Sequence, residues 1–154
     1  EVRFEYKHFP LPMHQNAMGA AMAAEAAGQQ GQFFPYHDLL FENQQAWATA
    51  ATPNALFIGY AEELGLDIPT FRRHMNSSLL REKVRADLAE ARDRGVSATP
   101  TFYLNGERMD PAEFETYQGF LAQIAFTVDP EGAASTTGAT APPSGDGSGV
   151  RFGL

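Results

Sequence analysis

Hydrophobic and polar positions along this chain change period several times, and each change marks an element. Val2-Arg-Phe-Glu-Tyr-Lys-His-Phe9 alternates β-formers with polar residues, which predicts a strand ended by Pro10 and Pro12. From Met13 to Ala27 the small residues Ala17, Ala20, Ala21, Ala24 and Ala27 share one face of a predicted helix, an arrangement that permits close packing. Gly28 to Gly31 breaks it. A second helix, over 32–48, gathers Phe33, His37, Leu40, Phe41, Gln44 and Trp47 near one side. Thr52-Pro53 reads as an N-cap followed by Pro at the first helical position. Phe57, Tyr60, Ala61 and Leu64 follow at helical spacing, and Gly65 stops the helix.

Asp67 is placed to cap a short helix over 69–75, and Ser77 or Ser78 to start another with Leu80, Val84, Leu88 and Ala91 as its buried stripe. Gly95 ends that one. Residues 101–104 then read as a strand, Asn105-Gly106 as a hairpin turn and 107–109 as the return strand. Asp110-Pro-Ala-Glu113 has an N-cap, Pro at N1 and an acid at N3, so it opens a helix with Phe114, Tyr117, Leu121 and Ile124 as core stripe. Beyond Val128 the chain turns to Gly, Ser, Thr, Ala and Pro, the composition of a flexible tail or linker over 128–154. Strand, helical block, strand, hairpin, strand and helix make an α/β domain over 1–127.

Composition limits what such a domain does. The 154 residues are 44% hydrophobic and 12% aromatic, enough for one core. A net charge of −8 without a basic cluster argues against nucleic acid. No apolar run approaches the roughly 18 residues of a membrane span. No signal peptide opens the chain, and Glu1 in place of Met reads as a processing or cloning boundary. There is no cysteine, which excludes disulfides, thiolate metal sites and a thiol nucleophile within these residues.

Each candidate for chemistry has a plainer competitor. His14 and His37 are candidate site groups because histidine is the residue type suited to proton transfer near neutral pH, but they read better as a helix-start residue and a partly buried helix residue. Four His without metal-ligand spacing predict no metal. Glu25, Glu62 and Glu63 are possible general bases; solvated helix faces account for them better. Phe33, Phe34, Tyr36, Phe41 and Trp47 suit a peptide groove, yet most of them belong in a core. Asn76-Ser-Ser78 fits a glycosylation sequon, and helix capping explains it more simply. Ser77 and Ser78 lack a nucleophile elbow, and no phosphate loop or dinucleotide glycine pattern is present.

The most telling stretch is Gly95-Val-Ser-Ala-Thr-Pro-Thr-Phe-Tyr-Leu-Asn-Gly106. Proline cannot donate to a ladder, so a Pro at a strand entrance marks an edge, a first position or a special backbone site, and X-Pro is the bond type that reaches cis cheaply. With Phe9-Pro-Leu-Pro-Met-His14, Ala23-Ala-Glu-Ala-Ala27, Gln30-Gly-Gln-Phe33, His37-Asp-Leu-Leu-Phe-Glu-Asn-Gln44 and Tyr60-Ala-Glu-Glu-Leu-Gly-Leu-Asp67, it resembles the DsbA-like branch of the thioredoxin superfamily over residues 2–126. Similar modules occur as secreted or membrane-tethered bacterial disulfide oxidoreductases and as domains fused to antiporters.

The resemblance implies a thioredoxin-like α/β fold of DsbA type with a helical insertion. It implies a Cys-X-X-Cys at a helix N-terminus, where the helix dipole and backbone N–H groups lower the thiol pKa. It implies no cofactor. Thr99-Pro100 would match the cis-proline loop, with Ala98, Thr99, Pro100 and Thr101 as the wall that pairs with an extended substrate polypeptide. Partners would be substrate polypeptides and a redox partner protein, in an extracytoplasmic setting (secreted, periplasmic or membrane-tethered), with the cytoplasm as the alternative.

The departure from the family is at its N-terminus. The strand and Cys-X-X-Cys helix that the family places before Val2–Phe9 are not in this sequence, so the fold is expected to be incomplete there. That strand is central, which predicts a vacant slot filled by another segment, a second chain (a dimer) or Val150–Leu154. The leading expectation is a thiol–disulfide oxidoreductase module, silent on its own for lack of cysteine. The alternatives are a non-catalytic thioredoxin-like polypeptide-binding module and, more remotely, a Ser-dependent relative such as a kappa-type glutathione transferase or isomerase.

Overall fold

A computed structural model describes residues 2–129, which divide into two compact units, one running up to Thr99 and the other from Pro100 onward. Within these residues the structure is mostly helical, and its one sheet is a two-stranded hairpin.

The first unit is built around α1 (Ala17–Gly28). Its alanines are buried on every side and not on one face alone: Ala20, Ala21, Ala23, Ala24, Ala26 and Ala27 all lie out of solvent. Side chains this small let α2 (Phe33–Glu42), α4 (Asn54–Glu63), α5 (Ile68–Met75) and α6 (Ser78–Asp93) approach the same central helix. Larger residues from those helices fill the space around it, among them Tyr36, Leu40, Trp47, Phe57, Tyr60 and Phe71. Met22, Leu80 and Val84 pack with Ala21 on the α6 side.

Several starts and stops follow the local chemistry. Asp67 accepts from Thr70 N–H at the head of α5, and Ser77 from Leu80 N–H at the head of α6. The helix expected over 32–48 breaks at Asn43, whose side-chain amide donates to Leu39 O, and resumes as the short α3 (Gln44–Trp47). Thr52 does not cap α4, which begins at Asn54 without a side-chain cap. In α6, Leu80 and Val84 are buried but Leu88 and Ala91 only half so, and Asp87 is buried in the same stripe.

Val2–Phe9 corrects the strand expectation. It forms no ladder among the described residues. Alternation still operates there: Phe4, Tyr6 and His8 face the aromatic residues Phe33, Phe34 and His37 of α2, while Glu5 and Lys7 pair with each other. Among the described residues the segment is held by side chains and not by a neighbouring strand, so a period-2 pattern is present there without a ladder.

In the second unit β1 (Tyr103–Leu104) pairs antiparallel with β2 (Glu107–Arg108), Tyr103 opposite Arg108 and Leu104 opposite Glu107. Asn105 and Gly106 take φ of 51° and 88°, the left-handed pair that a two-residue turn of this twist requires. The capping box of Asp110 and Glu113 forms, but it opens only a 3-10 turn, Pro111–Glu113. The chain breaks there and restarts at Thr116, which caps α7 (Tyr117–Val128) through Gly119 N–H. This break overturns the single helical stripe expected from Phe114 onward. Phe102 packs against Phe114 and Phe120, both at 4.9 Å between centroids, whereas Tyr117 and Leu121 are exposed. The tail expected over 128–154, with Val150–Leu154, lies outside the described residues after Asp129.

Candidate functional site

The loop that the sequence singles out is a bend over Ala98, Thr99 and Pro100 that follows α6 and Gly95. Ala98 and Pro100 are exposed, and Thr99 and Thr101 are half-buried. The other aromatic candidates are core residues in part: Tyr36 and Trp47 are buried, with Tyr36 Oη donating to Phe57 O at 2.7 Å and Trp47 Nε1 to Leu40 O at 2.7 Å. His14 is exposed at the approach to α1. His37 is buried on α2 with Nδ1 3.0 Å from Asp38 Oδ1.

A second constellation escaped the sequence reading. Glu25, expected on a solvated face, is only 5% exposed, and His8 is fully buried. His8 Nε2 lies 2.9 Å from Glu25 Oε1, and Lys83 Nζ donates to the same oxygen. Asp87 Oδ2 accepts the His8 backbone N–H at 3.2 Å, and Lys7 Nζ stands 3.6 Å from Asp87 Oδ1 and 3.0 Å from Glu90 Oε2. Three elements thus meet in one ionic cluster: the Val2–Phe9 segment, α1 and α6.

Burial pushes the Glu25 carboxyl up, but the hydrogen bonds from His8 and Lys83 outweigh it and hold the group below its ordinary range. Lys7 likewise holds Glu90 low. Edge contacts from Tyr6 and Phe33, at 5.2 and 5.8 Å between centroids, flank the His8 ring, and its Nδ1 has no hydrogen-bond partner among the described residues. The arrangement fixes the segment against α1 and α6, and it contains no thiol or hydroxyl nucleophile. Among the described residues no group of three or more His, Asp or Glu is placed to hold a metal ion, and no helix is long and apolar enough to cross a membrane.

Comparison with known proteins decides the family. The Thioredoxin_4 family model, described as thioredoxin, matches residues 1–123. The chain belongs to this DsbA-like thioredoxin family. It is a member without any cysteine among its 154 residues.

Among curated proteins, it is 40% identical over 109 residues to a Na(+)/H(+) antiporter NhaA of Herminiimonas arsenicoxydans, a match covering 71% of this chain and 16% of that protein. It is 41% identical over 108 residues to Na(+)/H(+) antiporter NhaA 1 of Salinispora arenicola, covering 70% and 16%. For NhaA 1 of Mycobacterium sp. (strain KMS) the identity is 33% over 113 residues, covering 70% and 17%. The matched stretch is therefore a small part of each relative. No solved structure matches the chain.

Proposed function

We propose that this chain is the substrate-facing part of a DsbA-like thiol–disulfide oxidoreductase module whose Cys-X-X-Cys is supplied from outside residues 1–154. The observation that carries this reading is the family match over 1–123 in a chain that keeps Thr99-Pro100, the following hairpin and the helical block. In this reading Ala98, Thr99, Pro100 and Thr101 present backbone to an extended substrate polypeptide, and the exchange itself takes place on the cysteines of the missing helix. The NhaA relatives support a module carried within a larger bacterial membrane protein, while an extracytoplasmic setting rests on the resemblance to disulfide oxidoreductases alone.

The test is insulin reduction by the 154-residue chain and by the same chain joined to the segment encoded upstream of Glu1. The expected result is no turnover for the first and turnover for the second. An upstream segment that lacks a Cys-X-X-Cys, or that has one and gives no turnover, removes the proposal. The absence of cysteine favours one other reading, a module that binds extended polypeptide without redox turnover. Peptide binding by an extended protein that is redox-inactive would select it.

A further inference from the structure

Helix α6 has two unlike flanks beside its buried stripe of Leu80, Val84 and Asp87. On one, Lys83 pairs with Glu25 and Asp87, and Glu90 pairs with Lys7 and with Arg94 just past the helix end. That flank serves the ionic cluster that holds Val2–Phe9. The other carries Arg81, Arg85 and Arg92, dispersed in the sequence but within roughly 40° of arc and about 16 Å along the axis at 3.6 residues per turn. All three are exposed, and among the described residues none has an ion pair or a side-chain hydrogen bond. The other residues four positions away from them, Ser77, Leu88, Ala89 and Val96, include no acid, and Glu82 and Asp93 lie roughly 60–80° further round the helix. On a chain of net charge −8, a straight line of three positive charges makes a local field of the opposite sign.

We propose that Arg81, Arg85 and Arg92 seat this module on anionic phospholipid headgroups, an inference that rests on the reading of the chain as a module carried within a larger membrane protein. A guanidinium binds phosphate oxygens in pairs through its planar fork. Between the three charges along this line stand Leu88 and Ala89, with no aromatic residue to anchor in a partner's pocket. Protein interfaces centre on such anchors, so the line suits a plane of phosphates better. Each arginine near an anionic surface raises occupancy by roughly fivefold, and three together by about a hundredfold. A free chain of net charge −8 gains little from that. A chain tethered at the membrane already stands at a high effective concentration, where the same gain decides which face turns to the lipid. Acids farther away than the Debye length of about 8 Å are screened and do not cancel the contact.

The 154-residue chain with a C-terminal hexahistidine tag, held on vesicles that contain a nickel-chelating lipid, reproduces such a tether. Phenylglyoxal modification, read by mass spectrometry, then reports which arginines meet the surface. On vesicles of phosphatidylglycerol and phosphatidylcholine, Arg81, Arg85 and Arg92 should react about fivefold more slowly than on phosphatidylcholine alone, with Arg3 unchanged. The difference should vanish at about 1 M salt, where the Debye length falls to about 3 Å. Arg81→Gln combined with Arg92→Gln should return Arg85 to its phosphatidylcholine rate, and circular dichroism should show native helix content in that variant. Equal rates on the two surfaces overturn the proposal, as does slowing shared equally by Arg3. Protection of the three arginines by polyglutamate but not by phosphatidylglycerol also overturns it, in favour of an acidic polypeptide. None of these readouts uses cysteine. Insulin turnover by the extended protein with equal rates on the two surfaces would remove the lipid contact alone, and slowed rates without turnover would remove the redox reading alone.

Discussion

His8 Nε2 lies 2.9 Å from Glu25 Oε1, with both residues buried and with Lys83 on the same carboxylate oxygen. This contact fastens the Val2–Phe9 segment to α1, where no backbone ladder among the described residues does so. Removing one partner of a buried ionic contact leaves the other without compensation, so the cluster is costly to open from one side.

Glu25→Ala should therefore destabilise the chain by about 2–4 kcal/mol, whereas Lys83→Met, at a half-exposed side chain, should cost about 1 kcal/mol or less. Urea denaturation of the three proteins measures both values, and equal losses would contradict the buried role of Glu25.

The same carboxyl carries a pH signature. Its folded-state pKa lies below the ordinary value of 4.5, so the unfolded chain takes up that proton more readily. Its contribution is complete above the ordinary carboxylate range and is lost as pH falls through the folded value. Stability of the wild type should fall steeply below pH 4.5, and Glu25→Gln should be less stable at pH 7 but flatter across that window. Parallel pH profiles for the two proteins would remove Glu25 as a source of the slope.

Much of this architecture is written locally in the sequence. Asp67 and Ser77 cap the helices that they precede, and Asn105-Gly106 turns the hairpin, because each device uses groups within three residues of itself. The ionic cluster is not local. Its carboxylate meets His8 at a separation of 17 residues and Lys83 at 58, and a single Glu in an alanine run reads as a solvated face until other helices are known to surround it. The available signal was that isolation: Glu25 is the lone acid within an otherwise small, apolar helix. Val2–Phe9 shows the opposite limit, since its alternation is legible while a ladder depends on a partner strand. The helix opened by Asp110 was misjudged because a capping box fixes a start and says nothing of a break at Thr116.

Asn16 offers a sharper test of the first unit. Its side-chain amide nitrogen donates toward the carbonyl oxygens of Trp47, Ala48 and Ala50 at 2.8, 3.3 and 2.9 Å, tying the end of α3 to the start of α1. Asn16→Ala forgoes these bonds and should cost about 1–2 kcal/mol. Asn16→Asp sets a carboxylate against three carbonyl oxygens and should cost more, about 2–4 kcal/mol. Denaturation midpoints in the order wild type, Ala, Asp confirm the donor role, and an Asp variant as stable as Ala would refute it.

Burial, with a smaller contribution from Tyr60, pushes the Tyr36 phenol above its ordinary value of 10.0, and its hydroxyl donates to Phe57 O. A raised pKa means stability that is complete below the unfolded value and lost as pH climbs past it. In a spectrophotometric titration Tyr36 should stay protonated after exposed tyrosines have ionised, and should appear only as the first unit unfolds. Tyr36→Phe should remove that late step and cost about 1 kcal/mol at neutral pH by forgoing the buried hydrogen bond to Phe57 O. An ionisation at the ordinary phenol value with the helices intact would show that the hydroxyl is open to water.

Gly119 makes the corresponding test in the second unit. A Cβ at this position would lie 3.0 Å from Glu113 O and 3.2 Å from Thr116 Oγ1, the oxygen that caps α7. In a helix interior alanine is ordinarily favoured over glycine by roughly 0.8–1.0 kcal/mol, so propensity alone predicts that Gly119→Ala stabilises. The close approach reverses that expectation, because one of the two neighbours is backbone and the other is held by its bond to Gly119 N–H. Gly119→Ala should therefore destabilise α7 by about 1 kcal/mol, read as faster amide exchange at Phe120 and Leu121. Slower exchange at those amides would show that the turn before Thr116 gives way and that helix propensity prevails.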